Sequence, residues 1–311
     1  MKNRVSVCVT VFNEKDSIGD LIKSLCFNKD CFHELVICDG GSIDQTDQIV
    51  KNLSKDFKWI KFIVSKGNVA HGRNVAVKNA SGDIIAMTDA GCIVQKNWVK
   101  KMTQPLFDGK YDISAGFYNI KTRNSFQKAL GFFRGVNKNN YNSKTFIPSC
   151  RSVAFKKKVW ICVGGFDEKL SLSGEDTKFF YEALKSGFKM KKVKGALVDW
   201  VEPEKFGIKD IFKFYFYARG DAQTGIWWDP IKKWRTHNIK IFSIFLRYVF
   251  FIACFFFDKF FGAFVFTFYL LWAFTKVFRN QKDFYAGFWG MIIQIFSDFL
   301  IMAGFVKGLI K

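Results

Sequence analysis

The sequence lacks the residue spacings that usually build a zinc site. It contains eight cysteines but no CxxC pair, and only three histidines accompany them, so a zinc site is not expected. Cys8, Cys38 and Cys162 lie in apolar runs, which predicts small core residues in a reducing compartment. The N-terminal stretch MKNRVSVCVTVFNE leaves no room for an apolar signal core before its first strand. We therefore expect the first domain to stay in the cytoplasm.

Acidic residues are scarce relative to basic ones. The chain has 48 Lys and Arg against 27 Asp and Glu, which gives a net charge of +21. Such an excess suits nucleic acid, an anionic membrane surface or phosphorylated small molecules, and charge alone does not choose among them. The basic residues are spread widely and no nucleic-acid-binding fold is recognised, so nucleic acid is not expected as a partner.

Long apolar runs are missing from the first two thirds of the chain. Up to about Thr236 charged and apolar residues are mixed as in a soluble domain, whereas from Ile239 onward Phe, Ile and Leu dominate. A chain of 311 residues is long enough for one large core and an appendage. We therefore expect a globular domain at 1–236 and a membrane-associated region with two or three apolar helices at 237–311.

Short apolar strands alternate with amphipathic helices through the first 120 residues. The helical spacing is clearest at Ile18, Leu21 and Leu25. Continuous apolar strands separated by such helices favour an α/β fold with a mostly parallel sheet covered on both faces. The predicted strands are Val5–Val11, Glu34–Asp39, Trp59–Val64 and Asp83–Asp89, and the predicted helices cover Ser17–Cys26, the region of Ile49 to Leu53, and Val75–Ala80.

Polar segments follow three of the four predicted strands: TVFNE, DGGSIDQT and TDAGC. Because ligands bind at the carboxyl ends of parallel strands, the three segments define one candidate site. A single acid at such a position is more often a helix cap or a turn residue, but three at one rim favour binding.

The glycine-rich segment DGGSIDQT, 39–46, is neither GxGxxG nor GxxxxGK[ST]. A dinucleotide-dependent dehydrogenase and a P-loop protein are therefore disfavoured. Gly40 and Gly41 permit close backbone approach, and Ser42 or Asp44 can cap the next helix. Asp39 is not needed for that cap, so we expect it to point into the crevice and accept a hydrogen bond from a base N–H.

Four segments, in their order and spacing, resemble family 2 glycosyltransferases of the GT-A fold, a Rossmann-like α/β fold. The resemblance covers about residues 3–205. It implies transfer of a sugar from a nucleotide-sugar donor by a membrane-attached bacterial enzyme with a TDAGC variant of the DxD motif. The segments are VTVFNEKDSIGDLIKSL, VICDGGSIDQT, GNVAHGRNVAVKNASGDIIAMTDAGC and VGGFDEKLSLSGEDTKFFYEALKSG.

The resemblance assigns donor-binding roles to residues at the predicted rim. Asp39 matches the acid that hydrogen-bonds the base, and Arg73 falls where the family keeps an arginine near the donor diphosphate. Asp89 matches the first acid of DxD, a ligand of Mg²⁺ or Mn²⁺ in many relatives. A helix cap for Asp89 and an ordinary surface position for Arg73 are the alternatives. The first donor-contacting loop is matched by Thr10, Phe12 and Glu14.

Gly91 departs from the family pattern, because many relatives carry a second metal-binding acid there. Asp89 with diphosphate oxygens and water still suits a hard divalent cation, so Mg²⁺ or Mn²⁺ is the expected cofactor. Without a metal, Arg73 and other cations would stabilise the leaving group instead. A histidine that assists in some relatives is also missing from ALVDWVEPEKF, where Asp199 or Glu202 is the candidate substitute.

The segment SGEDTKFFYEALKSG places two acids at the start of a predicted helix. Acids in a first turn stabilise the helix dipole, which is the structural alternative for both. By resemblance, Asp176 is the base that takes the acceptor's hydroxyl proton, and Glu175 supports it or binds acceptor. One base without a covalent intermediate implies inversion. Arg151 and Trp200 are assigned to the acceptor side, with a surface position as the alternative for Arg151.

Three apolar stretches in the last third are candidate membrane helices. A spanning helix needs roughly 20 apolar residues, with about 17 as the lower limit, so the first two are marginal and the third is long enough. Flanking basic residues predict that the first two form a hairpin with both ends in the cytoplasm. The third crosses, is re-entrant or lies at the interface, because Asp298 is costly in lipid. The stretches are Ile241–Phe257, Phe260–Thr275 and Phe284–Val306, and the basic residues are Lys232, Lys233, Arg235, Lys240, Lys276, Arg279 and Lys282.

Together these features predict an inverting glycosyltransferase of cell-surface polysaccharide or glycolipid synthesis, which acts on a lipid-linked or oligosaccharide acceptor. We expect it at the bacterial plasma membrane with its catalytic domain in the cytoplasm. The alternative is a catalytically silent nucleotide-sugar-binding or scaffold protein at the membrane, for which Gly91 is the reason. Asp39, Asp89 and Asp176 favour the enzyme.

Overall fold

The computed structural model describes residues 4–136, 141–142, 146–170, 173–201, 208–228 and 236–310. The chain forms two compact units, the first comprising 1–119, 142–171 and 175–201, and the second comprising 120–141, 172–174 and 202–311. Several residues singled out in the sequence lie outside the described residues: Glu202, Lys232, Lys233 and Arg235.

The first unit is built around an eight-stranded sheet with the strand order β3-β2-β1-β4-β7-β6-β8-β5. The strands are β1 (Val5–Val11), β2 (Glu34–Asp39), β3 (Ile60–Val64), β4 (Ile84–Met87), β5 (Cys92–Val94), β6 (Ile113–Lys121), β7 (Val153–Lys156) and β8 (Met190–Val201).

Helices connect the strands of the first unit and make up the described part of the second. They are α1 (Ile18–Cys26), α2 (Thr46–Asp56), α3 (Val69–Asn79), α4 (Trp98–Phe107), α5 (Ser125–Arg134), α6 (Lys157–Val163), α7 (Glu175–Lys185), α8 (Lys213–Thr224), α9 (His237–Phe257), α10 (Lys259–Gln281) and α11 (Phe284–Leu309). Short 3-10 helices lie at Lys29–Cys31 and Ile208–Phe212.

The sheet has a parallel half and an antiparallel half. Strands β1 to β4 pair in parallel, as their continuous apolar sequences predict. Val11 lies opposite Asp39 and Asp39 lies opposite Val64, so the carboxyl ends of β1, β2 and β3 are level. In the other half, β4 pairs with β7, β6 with β7 and β5 with β8, all antiparallel. The predicted α/β fold class is confirmed, with a mixed rather than mostly parallel sheet.

Helix α1 shows why the predicted elements form where they do. Its apolar residues Ile18, Leu21 and Leu25 recur on one face and are completely buried. Burial of such a side chain contributes about 1.5–3 kcal/mol, which fixes the face that packs on the sheet.

Helix α3 begins six residues earlier than the sequence pattern predicts. The Asn68 side chain caps it by accepting a hydrogen bond from the backbone N–H of His71 at 2.9 Å. Gly72 allows close packing on β1, because a Cβ there would lie 3.0 Å from Thr10 Cγ2. This glycine and the polar residues of the first turns conceal the helical period.

One core prediction is wrong. Cys8 and Cys38 are buried as expected, whereas Cys162 is exposed. Cys162 lies in the short helix α6, whose buried residue is Val159. The apolar run VWICV therefore cannot turn every side chain toward the core.

The second unit contains three helices that are long and apolar enough to cross a membrane. The qualifying stretches are Asn238–Phe257, Lys259–Gln281 and Phe284–Leu309, of 20, 23 and 26 residues. The first two helices are longer than the marginal apolar runs in the sequence. The first begins and the second ends with a few polar residues beyond the apolar run. Asp258 separates α9 from α10 and caps α10 by accepting from the Phe261 N–H at 2.7 Å.

Candidate functional site

The loop after β2 is organised by Asp39. Its Oδ1 accepts hydrogen bonds from the Gly41 N–H at 2.9 Å, the Ser42 N–H at 2.8 Å and the Ser42 hydroxyl at 2.9 Å. Asp39 is completely buried, and its Oδ2 has no hydrogen-bond partner within the described part of the chain. One oxygen of Asp39 therefore holds the turn, whereas the other has no partner among the described residues, and binding of the donor base by Asp39 stays a prediction.

The loop after β1 lies beside this turn. Asn13 joins the two loops, because its side chain accepts from the Ile43 N–H at 2.9 Å while its own N–H donates to the Ser42 hydroxyl at 2.9 Å. Phe12 is 59% exposed, and its ring lies 3.7 Å from the position that a Cβ on Gly40 would occupy. The exposed ring therefore stands next to the buried Asp39 carboxylate.

The other two residues of the first predicted loop have different surroundings. Thr10 is half-buried in β1 against Gly72 of α3. Glu14 is half-buried, accepts a hydrogen bond from the Ser17 hydroxyl, and its N–H donates to the Thr46 hydroxyl at 2.8 Å. Glu14 thus ties the starts of α1 and α2 together.

Arg73 joins the acids from two distant segments. It is 5% exposed on α3, and its Nη2 lies 3.3 Å from Asp89 Oδ1. Its Nη1 forms an ion pair with Glu175 at the start of α7. This burial excludes the surface position that was the alternative for Arg73, and its role at the donor diphosphate stays a prediction. Arg73 brings TDAGC together with SGED, 86 residues apart along the chain when counted from Asp89 to Glu175 (175 − 89).

Unsatisfied polar atoms remain in this charged cluster. Among the described residues, Arg73 Nε and Glu175 Oε2 are buried without a hydrogen-bond partner. Burial raises the pKa of Glu175, and the neighbouring Arg73 opposes that rise. Buried polar groups are normally satisfied, so this arrangement is typical of a site that is completed by a ligand.

Arg151 lies on the other side of Asp89. Its Nε is 3.8 Å from Asp89 Oδ2, and its guanidinium carbon lies 3.8 Å from the centre of the Trp200 ring. Pairing of Cys92 with Trp200 in the β5–β8 ladder places this tryptophan beside TDAGC. The structure therefore brings the two predicted acceptor-side residues into contact with each other.

Tyr118 completes this aromatic group and was missed by the sequence analysis. Its ring lies edge-on to Trp200 with centroids 5.9 Å apart, and 5.7 Å from the Arg151 guanidinium carbon. Tyr118 belongs to the apolar strand β6, so no local pattern marks it as a site residue. Asp199, the suggested histidine substitute, accepts from the Asn119 side chain at 3.0 Å and the Gln95 side chain at 3.4 Å.

Asp176 begins α7 next to Glu175. Its Oδ2 accepts from the Cys150 N–H at 3.4 Å, and its Oδ1 accepts from the Thr177 N–H at 2.7 Å. The second bond joins neighbouring residues in the first turn of the helix, where an acid also stabilises the helix dipole, the structural alternative for this residue. Asp176 remains half-buried, so its carboxylate is accessible as well as anchored.

Few of the described side chains near Asp89 could bind the predicted metal. Within the described residues no group of three or more His, Cys, Asp or Glu side chains converges as a metal site. Asp89 is the acid that TDAGC offers, its side chain is 31% exposed, and two arginines already face it. Gly91 has open space where a Cβ would be added.

The comparisons with known proteins agree with this geometry. The profile described as glycosyl transferase family 2 matches residues 6–162, which is half of the chain. The protein "Glycosyltransferase AglE" of Haloferax volcanii is 24% identical over 194 residues, which covers 60% of this chain and 63% of AglE. This chain therefore spans less than two thirds of that relative's length.

Solved glycosyltransferases share much of the fold of this chain. S. aureus TarS 1-349 in complex with UDP-GlcNAc has a TM-score of 0.54 at 20% identity, over 71% of this chain and 66% of TarS 1-349. The mannosyltransferase PcManGT of Pyrobaculum calidifontis, determined with GDP-Man and Mn²⁺, has a TM-score of 0.54 at 16% identity, over 72% of this chain and 63% of PcManGT. The α/β sheet with its polar rim is a GT-A-like fold, and the chain belongs to glycosyl transferase family 2.

Proposed function

We propose that this protein is an inverting glycosyltransferase that moves a sugar from a nucleotide-sugar donor to a glycan or lipid-linked acceptor in cell-surface polysaccharide or glycolipid synthesis. The observation that supports it most is the contact of Arg73 with both Asp89 and Glu175. This contact gathers a strand end and a helix start into one charged group within a family 2 domain. The proposal keeps 1–236 as the catalytic domain and 237–311 as the membrane region.

The donor base is proposed to bind at Asp39. Its unpartnered Oδ2 can accept an N–H from the Watson–Crick edge of uracil, thymine or guanine, while Oδ1 keeps the loop in place. Phe12 is exposed beside it and offers a face for the base. Thr10 and Glu14 hold the loop from which Phe12 projects.

The donor diphosphate is proposed to lie between Arg73 and Arg151. The diphosphate gains negative charge as the sugar–oxygen bond breaks, so fixed cations stabilise the transition state more than the ground state. Arg73 is anchored by Glu175 and Arg151 by the Trp200 ring. Both cations are therefore in place before the reaction and need no rearrangement.

The residues present do not form a metal site by themselves. A hard divalent cation prefers several oxygen ligands, whereas TDAGC offers one carboxylate with two arginines beside it. Arg73 and Arg151 are therefore proposed to stabilise the negative charge of the leaving diphosphate. The alternative expected from the family is a metal held by Asp89, diphosphate oxygens and water, and activity in EDTA distinguishes the two.

Asp176 is proposed as the catalytic base. As the acceptor oxygen attacks the anomeric carbon, the bond from that carbon to the diphosphate oxygen breaks, and the hydroxyl proton passes to the Asp176 carboxylate. A single displacement inverts the anomeric centre. The backbone hydrogen bonds from Cys150 and Thr177 hold the carboxylate in one orientation.

The acceptor side is proposed to comprise Arg151, Trp200 and Glu175. One face of Trp200 is covered by the Arg151 guanidinium at 3.8 Å. Trp200 therefore contributes by holding Arg151, and Tyr118 supports it edge-on. Because Arg151 also faces Asp89, it is proposed to lie where the donor diphosphate and the acceptor meet.

The enzyme is proposed to be attached to the bacterial plasma membrane with its catalytic domain in the cytoplasm. The three apolar helices are long enough to cross a bilayer. A nucleotide-sugar donor is available in the cytoplasm, so the catalytic domain should face that side.

The test is transfer of radiolabelled sugar from UDP-, GDP- and dTDP-sugars to a membrane lipid extract, with Asp176→Asn as the matched control. We expect transfer from one donor class and its loss in the variant. A parallel melting assay with UDP, GDP and dTDP separates binding from catalysis, because a ligand at 100 times its Kd stabilises the folded state by about 2.7 kcal/mol. Binding without transfer from any donor would support the silent nucleotide-sugar-binding alternative.

A further inference from the structure

The longest apolar helix, α11, has different surroundings from α9 and α10. In α9 and α10, 17% and 22% of the span is buried within the protein, compared with 39% for α11. The apolar side chains of α9 and α10 are exposed in many directions, with Phe256 and Phe257 85% or more exposed. The hairpin α9–α10 therefore suits a hydrocarbon environment, whereas α11 is enclosed by other elements.

The C-terminal half of α11 is in backbone contact with α8. A Cβ on Gly304 would lie 2.2 Å from the Tyr215 carbonyl oxygen, and one on Gly308 would lie 2.5 Å from the Arg219 carbonyl oxygen. The pair forms a GxxxG sequence that lets two helices approach closely. Any bilayer depth reached by this half of α11 would also be reached by α8, which carries Arg219 and Asp221.

The N-terminal half of α11 is covered by α5. Lys128 donates to Asp283 at 2.7 Å and the Ser125 hydroxyl donates to it at 3.0 Å, while Asp283 caps α11 by accepting from the Ala286 N–H. The Phe126 and Trp289 rings meet edge-on at 5.0 Å. Both halves of α11 are thus accompanied by helices with charged side chains, which are costly in the bilayer centre.

α11 also contacts both helices of the α9–α10 hairpin near its open end, which is the end opposite the turn at Asp258. Near its start, Gly290 packs against Val277 of α10. Near its end, the Phe305 ring contacts the Phe242 ring of α9, with the ring centroids 5.8 Å apart. Val277 and Phe242 lie 19 and 16 residues from the hairpin turn at Asp258 (277 − 258 and 258 − 242). The two ends of α11 therefore reach similar distances from the turn, as expected of a helix that closes the open end.

The remaining surface of α11 is one apolar stripe. Apart from Lys307 near its end, the exposed residues of α11 are apolar, and most of them recur at helical spacing. The other faces are covered by α5, α8, α9 and α10. A single exposed apolar stripe is the pattern of a helix that lies along a membrane surface. The stripe is formed by Tyr285, Phe288, Ile292, Phe296, Phe299 and Val306.

We infer that α9 and α10 cross the bilayer as a hairpin, whereas α11 lies along the membrane surface on the side where α9 begins, with its stripe against the acyl chains. This inference rests on the proposed membrane attachment but not on the proposed chemistry. A length of 20 residues gives α9 about 30 Å, which matches the hydrocarbon thickness. The third apolar stretch of the sequence is thereby assigned to the membrane interface.

The test is the side of the membrane from which single cysteines react with an impermeant PEG-maleimide. The full chain is used with Cys26, Cys31 and Cys162 replaced by serine, which leaves the buried cysteines. Reporters are then native Cys162 restored, Lys259→Cys at the hairpin turn, and Ile310→Cys after α11. Right-side-out and inverted vesicles are compared, and an unchanged melting temperature in detergent is required of each variant.

We expect Cys162 and Ile310→Cys to react in one vesicle orientation and Lys259→Cys in the other. Reaction of Ile310→Cys together with Lys259→Cys would show that α11 crosses and would overturn the inference. Reaction of all three in one orientation would overturn the crossing hairpin. Release of the protein by alkaline carbonate would refute membrane attachment itself, and absence of sugar transfer with the expected labelling pattern would refute only the proposed chemistry.

Discussion

Each unit of the molecule contains an acid paired with an arginine, and the two pairs differ in what surrounds them. In the first unit Arg73 Nη2 lies 3.3 Å from Asp89 Oδ1. In the second, Arg247 Nη1 lies 3.1 Å from Asp298 Oδ2. The distances are similar, so the pairing alone does not separate a reactive site from a structural contact.

The difference lies in how completely each group is satisfied. Asp298 is 1% exposed and also accepts from the Tyr248 hydroxyl at 3.3 Å, the Gln294 amide at 2.9 Å and the Tyr269 hydroxyl. The Asp89 side chain is 31% exposed, and its partner Arg73 keeps Nε unpaired among the described residues. A closed, satisfied pair holds helices together, whereas an open, incomplete one is prepared for a ligand.

The largest expected effect is at the open cluster of the first unit, formed by Arg73, Asp89 and Glu175 and followed directly by Asp176. Asp176→Asn should lower kcat for sugar transfer by about 10²–10⁴-fold, because the amide cannot take the acceptor's proton. The melting shift produced by the nucleoside diphosphate should stay the same, since Asp176 is not proposed to contact donor. An unchanged kcat would remove Asp176 from the mechanism.

Removing the acid from each pair tests the comparison directly. Asp298→Asn should destabilise the protein by about 2–3 kcal/mol, because Arg247 is left without its counter-charge. Asp89→Asn should change stability much less, since Arg73 keeps its ion pair with Glu175, but it should weaken donor binding or transfer. Melting temperatures in detergent and the transfer assay measure the two effects. Equal melting shifts for both variants would contradict the distinction.

Gly91→Asp should change the metal response of the open cluster. The new side chain has room among the described residues, none of which lies within 4 Å of the added Cβ apart from chain neighbours. We expect the wild-type protein to keep transfer activity in EDTA and the variant to be stimulated by Mn²⁺, with Gly91→Asn as the control of matched size. Complete loss of wild-type activity in EDTA, restored by Mn²⁺, would instead assign a metal to Asp89 as it stands.

The smallest effect concerns a third acid, Asp283, at the start of α11. A hydrogen bond from Lys128 and one from the Ala286 N–H lower its pKa from 3.8 to about 2. A depressed carboxyl pKa gives stability that is present above the unfolded pKa of about 4 and lost as pH falls toward 2. Lys128→Met should therefore lower stability at pH 7 by about 0.5–1 kcal/mol and flatten its decline between pH 4 and 2. Thermal melts of both proteins across that range measure the difference, and parallel curves would contradict it.

The parallel half of the sheet could be predicted because its strands are continuous apolar runs with helices between them. Val5–Val11 and Glu34–Asp39 have the predicted bounds. The antiparallel half has no comparable pattern, since β8 begins with exposed lysines and becomes buried only toward its end. Its pairing with β5 depends on contacts between residues about 100 positions apart.

The sequence could nominate residues of the candidate site but not the contacts between them. Three polar strand ends at one rim and the order of the family segments pointed to Asp39, Arg73 and Asp89, although each residue alone would more often be a cap, turn or surface residue. Their burial is a tertiary property, so the sequence could not show that Asp39 holds its own loop or that Arg73 reaches Glu175. Tyr118 was missed for the same reason.

The open space at Gly91 also bears on how this family diversifies. A glycine codon becomes an aspartate or glutamate codon by one base change at its second position. Because the added carbon meets no neighbour in the part of the chain that the structure describes, such a change requires no rebuilding of the described residues around it. A lineage with this architecture can therefore gain or lose a second carboxylate beside Asp89 in a single mutational step while its fold is preserved.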